Sequence, residues 1–344
     1  MVKDRGSRPA PAETLEVPTI ALIAAVYGGW MLTTAFADTL GPWLAVPLLG
    51  ALLAQHSSLQ HETIHGHPTP RQWLNDALAF PALGLLIPYE RFRDLHLAHH
   101  HDPSLTDPHD DPETNYLDPR VWAGLSRPAR AVLAVNNTLL GRMLLGPFIG
   151  MADLVRRDLA LVRAGDRQVA RAWALHGLGV VPVALWLWLA GSVSPGAYLV
   201  ACWLGLGLLR IRTFLEHQAH ERAAARSVVI EDRGPLALLF LNNNYHAVHH
   251  ANPRLAWYRL PAEFARRREE WLRRNGGYAY RSYGEVFRRY LFRRKDPVAH
   301  SGPETVVGVA RLRPVVHRQG GDAFAHASGA VQIGCATGSL RRKR

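Results

Sequence analysis

Three clusters of histidine constrain this chain more than any other feature of its sequence. Residues 96–100 and 246–250 share the spacing H-x-x-H-H, and residues 61–65 have the spacing H-x-x-x-H. Side chains three and four positions apart lie on one face of a helix, so each cluster can direct two or three imidazoles at a common point. Neutral imidazole binds iron, zinc and copper. The clusters hold eight histidines, more than the four ligands of a tetrahedral zinc, which indicates a site for two metal ions.

A ninth nitrogen ligand would complete a nitrogen-rich shell around two irons. His217 is the best candidate because it follows the apolar run 197–209, just as His61 and His65 follow the apolar run 41–54. His220, three residues further on, is the alternative.

The composition limits the other functional classes. The 344 residues carry a formal net charge of +12, and arginine supplies it, because lysine occurs only at Lys3, Lys295 and Lys343. A basic chain can bind nucleic acid, but no helix-turn-helix, zinc-finger or RNA-binding motif is present, so we expect no nucleic-acid partner. Cys202 and Cys335 are far apart and predict neither a disulfide framework nor a cysteine-ligated metal.

Four apolar runs predict an all-α integral membrane protein. Residues 17–37 contain no charge over 21 positions, which is long enough to cross ~30 Å of hydrocarbon. Residues 41–54, 172–190 and 197–209 are the other three runs, and two short turns, 38–40 and the uncharged 191–196, join the four runs in pairs. We therefore expect four transmembrane helices in two hairpins. The apolar stretches 73–87 and 132–149 are interrupted by polar residues and proline, and are predicted to be interfacial or re-entrant helices.

The arginines predict the orientation. Residues 60–170 contain eleven Arg, residues 217–300 contain sixteen Arg and Lys, and the two hairpin turns contain none. The positive-inside rule places both long loops and both termini in the cytoplasm. If the chain is bacterial, the membrane is the inner or plasma membrane. All histidine clusters then lie on the cytoplasmic side. We expect residues 1–16 to be a disordered lead, 17–296 the membrane domain and 297–344 a disordered basic tail.

Residues 61–65 also read H-E-x-x-H, which on a helix gives two zinc ligands and Glu62 as the general base of a metalloprotease. A zinc membrane protease is therefore an alternative, but it leaves the two H-x-x-H-H clusters unexplained. His56 and His176 lie in or near apolar runs and are interpreted as packed or hydrogen-bonded. Residues 107–113 form an acidic, turn-rich stretch that is interpreted as a solvated loop, with cation binding as the alternative.

With these clusters in this order, the chain resembles the membrane-bound fatty acid desaturase family, whose histidine boxes read H-x-x-x-H, H-x-x-H-H and H-x-x-H-H. The segment 212–217 is similar to the extra histidine segment before the last box, and the resemblance covers roughly residues 17–296. It implies four transmembrane helices beneath a cytoplasmic cap that holds a di-iron centre. The implied ligands are His61, His65, His96, His99, His100, His217, His246, His249 and His250.

The resemblance also implies a reaction. Such enzymes use O2 and two electrons to remove two hydrogens from a fatty acyl chain of a lipid, and hydroxylation of an alkane, acyl or carotenoid chain is the alternative outcome. The sequence has no His-Pro-Gly-Gly haem element, no Rossmann glycine pattern and no cysteine cluster, so we expect a separate ferredoxin, rubredoxin or cytochrome as electron donor. Glu62, Asn243 and Asp102 are the candidate residues for orienting the metal ligands.

Overall fold

The computed structural model describes residues 14–101, 105–300, 317–319 and 322–324. Most of the predicted lead and tail, and Asp102, lie outside these residues. Within them the chain is mostly helical, in agreement with the predicted all-α class, and strands occur only as two short pairs.

The first hairpin consists of α1 (Val17–Ala35), α2 (Ala37–Leu40) and α3 (Pro42–Ile64). The predicted turn between the apolar runs is the single helical turn α2, which ends at Gly41 with a φ of 71°. Glycine reaches this left-handed backbone region without a steric penalty, so the chain can reverse there. α3 then continues from its apolar half to the first histidine cluster as one unbroken helix.

Five helices connect the two hairpins. They are α4 (Gln72–Ala79), α5 (Tyr89–His101), α6 (Pro119–Gly124), α7 (Arg127–Asn136) and α8 (Leu139–Arg163). The stretch 73–87 forms α4 and the loop after it, and the stretch 132–149 spans the end of α7 and the first half of α8. Trp73 and Phe148 in these stretches are 64% and 65% exposed. Their interfacial location stays a prediction.

The second hairpin consists of α9 (Arg167–Ala190) and α10 (Pro195–Thr213). Side-chain caps fix both starts: Asp166 accepts hydrogen bonds from the N–H groups of Gln168 and Val169, and Ser194 accepts one from Ala197. Such caps satisfy backbone donors that have no partner within the helix. The turn between the two helices is short, and the Ser194 cap fixes where it ends and α10 begins.

The hairpins pack closely because glycines lie between α3 and α10. A Cβ atom on Gly205 would lie 3.0 Å from the carbonyl oxygen of Gly50, which is tighter than ordinary Cβ contacts, so glycine at this position favours the close approach. Buried polar contacts add to the packing: the indole of Trp30 on α1 donates to the hydroxyl of Tyr198 at 2.8 Å, which in turn donates to the carbonyl oxygen of Leu83 at 2.7 Å.

Two helices within the described residues, α1 and α9, are long and apolar enough to cross a membrane. α3 and α10 are not among them, since both run on into polar residues, including Arg210 and Arg212 in the last turn of α10. The four-helix membrane topology therefore stays a prediction.

The C-terminal cap is built from short elements. They are turns of 3-10 helix at Ala223–Ala225 and Trp257–Arg259, strands β1 (Val229–Ile230) and β2 (Ala279–Tyr280), and helices α11 (Pro235–Leu239), α12 (His246–Ala251), α13 (Leu260–Arg266), α14 (Arg268–Arg274) and α15 (Tyr283–Tyr290). β1 and β2 pair in parallel. Buried side chains that include Phe214, Phe240 and Tyr283 form a core beneath them. Val248 of α12 packs in a second buried cluster with Val229 and Leu260. Beyond the cap, β3 (His317–Gln319) and β4 (Asp322–Phe324) form an antiparallel pair.

Candidate metal centre

Four separate elements bring the histidine clusters together. The first cluster lies at the C-terminal end of α3, the second on α5 and the third on α12, and His217 follows α10. The third cluster is entered through a tight turn, because Leu241 and Asn242 both have positive φ values, 50° and 53°. All nine histidines predicted as ligands converge in one region of the fold.

The nine side chains form two groups, and the ligand atoms within each group lie within 4.8 Å of one another. The first histidine group contains His61, His65, His96, His100 and His249. The second histidine group contains His99, His217, His246 and His250. A division into five and four matches the two-metal site that the histidine count indicates.

Helix geometry explains why each H-x-x-H-H box contributes to both groups. Adjacent residues on an α-helix point about 100° apart, whereas residues i and i+4 nearly align. On α5, His96 and His100 therefore enter the first group while His99 enters the second. On α12 the assignment is reversed, because His246 and His250 enter the second group while His249 enters the first.

The spacing of the ring nitrogens suits metal ions. The Nε2 atoms of His65 and His96 lie 3.0 Å apart, and those of His99 and His217 also lie 3.0 Å apart. His249 and His100 give 3.1 Å. Two ligand nitrogens about 2.1 Å from one metal, at right angles, would lie about 3.0 Å from each other. The rings are therefore spaced as ligands that share an ion.

Among the nine histidines of the two groups, two buried ring nitrogens have no hydrogen-bond partner in the described part of the chain. They are Nε2 of His61 and Nε2 of His250, one in each group. A buried polar atom without a hydrogen bond costs about 1–3 kcal/mol, and a metal ion would satisfy each of these nitrogens. The donor set thus fits two imidazole-ligated ions, and iron is among the metals that imidazole suits.

Carboxylates hold two of the rings from outside. Asp111 Oδ1 lies 2.8 Å from Nδ1 of His99, and Glu113 Oε1 lies 3.0 Å from Nδ1 of His96. In each pair the Nδ1–H donates to the carboxylate, which fixes the tautomer and leaves Nε2 free to bind a metal. Asp111 is 4% exposed, so its charge acts in a poorly solvated environment.

Neutral polar groups hold two other rings. Asn243 Oδ1 lies 3.2 Å from Nδ1 of His246, and the amide of Asn243 donates to Glu216 at 3.2 Å. Ser227 Oγ lies 3.3 Å from Nδ1 of His217. Arg212 pairs with Glu216 at 2.9 Å. These contacts again occupy Nδ1 and direct Nε2 towards the centre.

The electrostatics of the centre favour a bound cation. Burial, followed by repulsion from neighbouring rings, lowers the pKa of His246, His249 and His250 well below the ordinary histidine value, so these rings are neutral at physiological pH. His99 differs: burial opposes its charge, but Glu113 and Asp111 outweigh that effect and raise its pKa to about 9. The two carboxylates supply negative charge that a metal ion would balance.

The sequence model of the fatty acid desaturase family matches residues 37–282, which is most of the chain and contains all nine histidines. The chain belongs to the fatty acid desaturase family. No curated protein sequence matches it.

Membership makes this desaturase-family chain an oxidoreductase that acts on a lipid acyl substrate, in a family that is typically membrane-associated. The two long apolar helices agree with that association. The histidine groups agree with metal binding.

Two other candidate residues from the sequence, His220 and Glu62, lie outside the two histidine groups. His220 is exposed, belongs to neither histidine group, and its Nδ1 accepts a hydrogen bond from the N–H of Arg222. Glu62 accepts from the N–H of Trp257 at 2.9 Å and lies in a separate group with Glu16 and His67.

The histidines within the apolar runs are hydrogen-bonded, as interpreted. His56 contacts the hydroxyl of Tyr27 at 3.3 Å, and His176 contacts the carbonyl oxygen of Leu85 at 3.0 Å. These two side chains therefore have packing partners away from the nine rings.

The interpretation of residues 107–113 as a solvated loop is wrong for Asp111 and Glu113. Asp107, His109 and Asp110 do face outwards with their hydrogen bonds, but Asp111 turns inwards against His99. In the sequence, these two carboxylates lie 12 and 17 residues after the histidines that they contact. Spacing along a loop carries no periodicity, so the sequence alone does not show which acidic residues turn inwards.

Proposed function

We propose that this protein is an integral membrane desaturase that uses O2 to remove two hydrogens from a fatty acyl chain of a lipid at a di-iron centre. The nine histidines of the two groups would hold one iron in each group. Four transmembrane helices would place the centre and both termini on the cytoplasmic side. A separate ferredoxin, rubredoxin or cytochrome would supply the electrons.

The observation that carries this proposal is the division of nine histidines into groups of five and four. A zinc protease would need two or three of these rings and a glutamate beside the metal. Glu62 instead bonds to Trp257, and seven of the rings lie outside the H-E-x-x-H motif. Together with the family membership, this favours a two-metal oxidoreductase over the protease.

Iron, when bound, would supply the activation of O2 that cleavage of an unactivated C–H bond requires and that no side chain provides. The chain itself holds and orients the ligands. Asp111, Glu113 and Asn243 keep the Nδ1 atoms of His99, His96 and His246 protonated, so that Nε2 faces the ion. Burial of the rings keeps water from competing for the centre.

A mainly apolar cavity beside α3, the helix that carries the first box, supports access from the bilayer. It lies between α3, α10 and the loop after α4, has a volume of about 40 Å³, and is lined by side chains that include Leu53, Cys202 and Leu206. Gln60, which directly precedes His61, also lines it. An acyl chain that enters here would approach the first histidine group, after the surrounding side chains move to widen the cavity.

The overall reaction balances without any further oxidant. Two C–H bonds of adjacent carbons break and a C=C bond forms, so the chain gives up two electrons and two protons. O2 is reduced to two molecules of water, which takes four electrons and four protons. The electron donor supplies the other two electrons, and solvent supplies the other two protons.

The test is lipid profiling of cells that express the wild-type protein or the variant His100→Ala. We expect acyl chains lighter by two hydrogens with the wild-type protein, and none with the variant. Chains heavier by one oxygen would identify a hydroxylase on the same fold. An unchanged lipid profile from wild-type protein that is folded and iron-loaded would contradict the proposal.

A further inference from the structure

A second cluster of titratable side chains lies buried where α1 begins, outside the two histidine groups. It contains Glu16, Glu62 and His67, which are 9%, 5% and 3% exposed. Nδ1 of His67 lies 2.9 Å from Glu16 Oε1, a hydrogen-bond distance, and Nε2 lies 3.9 Å from Glu62 Oε1, which is too long for a hydrogen bond. The imidazole therefore stands between the two carboxylates and bridges α3 and the segment before α1.

Two further residues close this bridge into a ring. The N–H of Trp257 donates to Glu62 Oε1 at 2.9 Å, and its indole N–H donates to Thr19 Oγ1 at 3.2 Å. Thr19 donates to Glu16 Oε2 at 3.1 Å. We call the five residues Glu16, Thr19, Glu62, His67 and Trp257 the polar latch.

The polar latch connects the first histidine box to the third. Glu62 directly follows His61 on α3. On the other side, the carbonyl oxygen of Trp257 accepts a hydrogen bond from Asn242 at 3.2 Å, and Asn242 lies in the turn that leads into α12. The segment before α1 serves as the common support, because the N–H of Glu16 also donates to the carbonyl oxygen of Pro68 at 3.0 Å.

Only the first histidine group depends on this connection. It combines His61 and His65 from the first box with His249 from the third. The second group contains no residue of the first box, since its members come from α5, α12 and His217. A displacement of α3, with α12 held in place beside α5 and His217, therefore alters the first group and leaves the second intact.

We propose that His67 is a positioning residue, which through the polar latch holds the first and third boxes in register and so sets the metal affinity of the first histidine group alone. This inference rests on the proposed two-metal function. It assigns a role to the segment before α1, which contributes no metal ligand.

The test compares His67→Leu with the wild-type protein by iron content and Mössbauer spectroscopy after purification in detergent. The reference variants His249→Ala and His250→Ala identify the signals of the first and second groups. We expect His67→Leu to lose most of the first-group iron and to keep the second-group iron. His67→Gln, whose amide can still donate to Glu16, should restore part of the lost iron.

A second variant covers the case in which His67→Leu does not fold. Thr19→Val removes two hydrogen bonds of the polar latch without leaving a charge unpaired, and it should weaken first-group iron binding by about tenfold. Ser58→Ala is the matched control, because Ser58 donates to the carbonyl oxygen of Leu239 at 2.8 Å and so connects α3 to the end of α11, outside the latch. It should keep both irons.

A measurement on metal-free protein separates this inference from the proposed function. Hydrogen–deuterium exchange of the metal-free variants should quicken in residues 61–67 and 252–257 and stay unchanged in α5 and α12, whatever metal the wild-type protein binds. Equal loss of both irons, retention of both by His67→Leu, or the same loss in Ser58→Ala would overturn the inference. Unchanged exchange in both segments would overturn it as well. A wild-type protein without iron would instead count against the proposed function.

Discussion

Replacing Asp111 with asparagine should weaken iron binding at the second histidine group. The carboxylate accepts from His99 Nδ1 at 2.8 Å, and both side chains are 1% exposed. Asparagine keeps the volume but loses the charge. In the wild-type protein, the Asp111 carboxylate also accepts hydrogen bonds from the backbone N–H groups of Thr106 at 2.8 Å and Glu113 at 2.9 Å, and these bonds fix the side-chain rotamer. The new amide N–H2 would therefore face at least one N–H donor.

The magnitude follows from these contacts. A hydrogen bond to a buried charged group contributes about 1.5–3 kcal/mol. Loss of a group that orients a metal ligand typically lowers metal affinity about 10–100-fold, which corresponds to about 1.4–2.7 kcal/mol. The two estimates agree, so we expect Asp111→Asn to bind the second-group iron about 10–100-fold more weakly, with the first-group iron unchanged.

The assay is a chelator titration of detergent-purified, iron-loaded protein, with circular dichroism to check the fold. Asp110→Asn is the matched control, because Asp110 is the neighbouring carboxylate and is exposed. Asp111→Asn should release one iron at a lower chelator concentration than either the control or the wild-type protein. If folded Asp111→Asn and Asp110→Asn released iron at the same chelator concentration, the assigned role of Asp111 would be refuted.

Three further predictions concern other parts of the molecule. His217→Ala should lose the second-group iron while His220→Ala keeps both irons, as measured by elemental analysis; the reverse result would move the ninth ligand to His220. Gly205→Leu should lower the free energy of unfolding by about 1–3 kcal/mol, because its Cβ would lie 3.0 Å from the oxygen of Gly50, whereas Gly196→Ala should not. Thermal unfolding in detergent checks this, and equal midpoints would contradict it. Finally, removal of iron by a chelator should lower the midpoint of thermal unfolding, and added ferrous iron should restore it. The reason is that a ligand that binds only the folded state stabilises that state. An unchanged midpoint would contradict metal binding at the centre.

The sequence predicts the histidines of the centre well because their spacing is helical. The i, i+3 and i+4 pattern marks which residues share a face before any fold is known. The same pattern does not tell which metal each ring would serve. That assignment depends on how α5 and α12 lie relative to each other in the folded chain. His249 of α12 joins His96 and His100 of α5, whereas His99 of α5 joins His246 and His250 of α12.

Supporting residues are harder to predict, because they lie on loops. Asp111 and Glu113 follow no periodicity, and their inward direction results from contacts with His99 and His96 that form only in the folded chain. Glu62 shows the opposite case: its place beside His61 suggested a role next to the metal, but the helix turns it towards Trp257 and His67. The helical hairpins, in contrast, follow from long uncharged runs, which is why α1, α3, α9 and α10 lie close to the predicted boundaries.

The most direct test of the two-metal centre is elemental analysis of the wild-type protein, purified in detergent from cells grown with iron and zinc. Our account predicts two iron ions per chain, bound by the first and second histidine groups, and little zinc. One zinc ion per chain, with no iron, would contradict it.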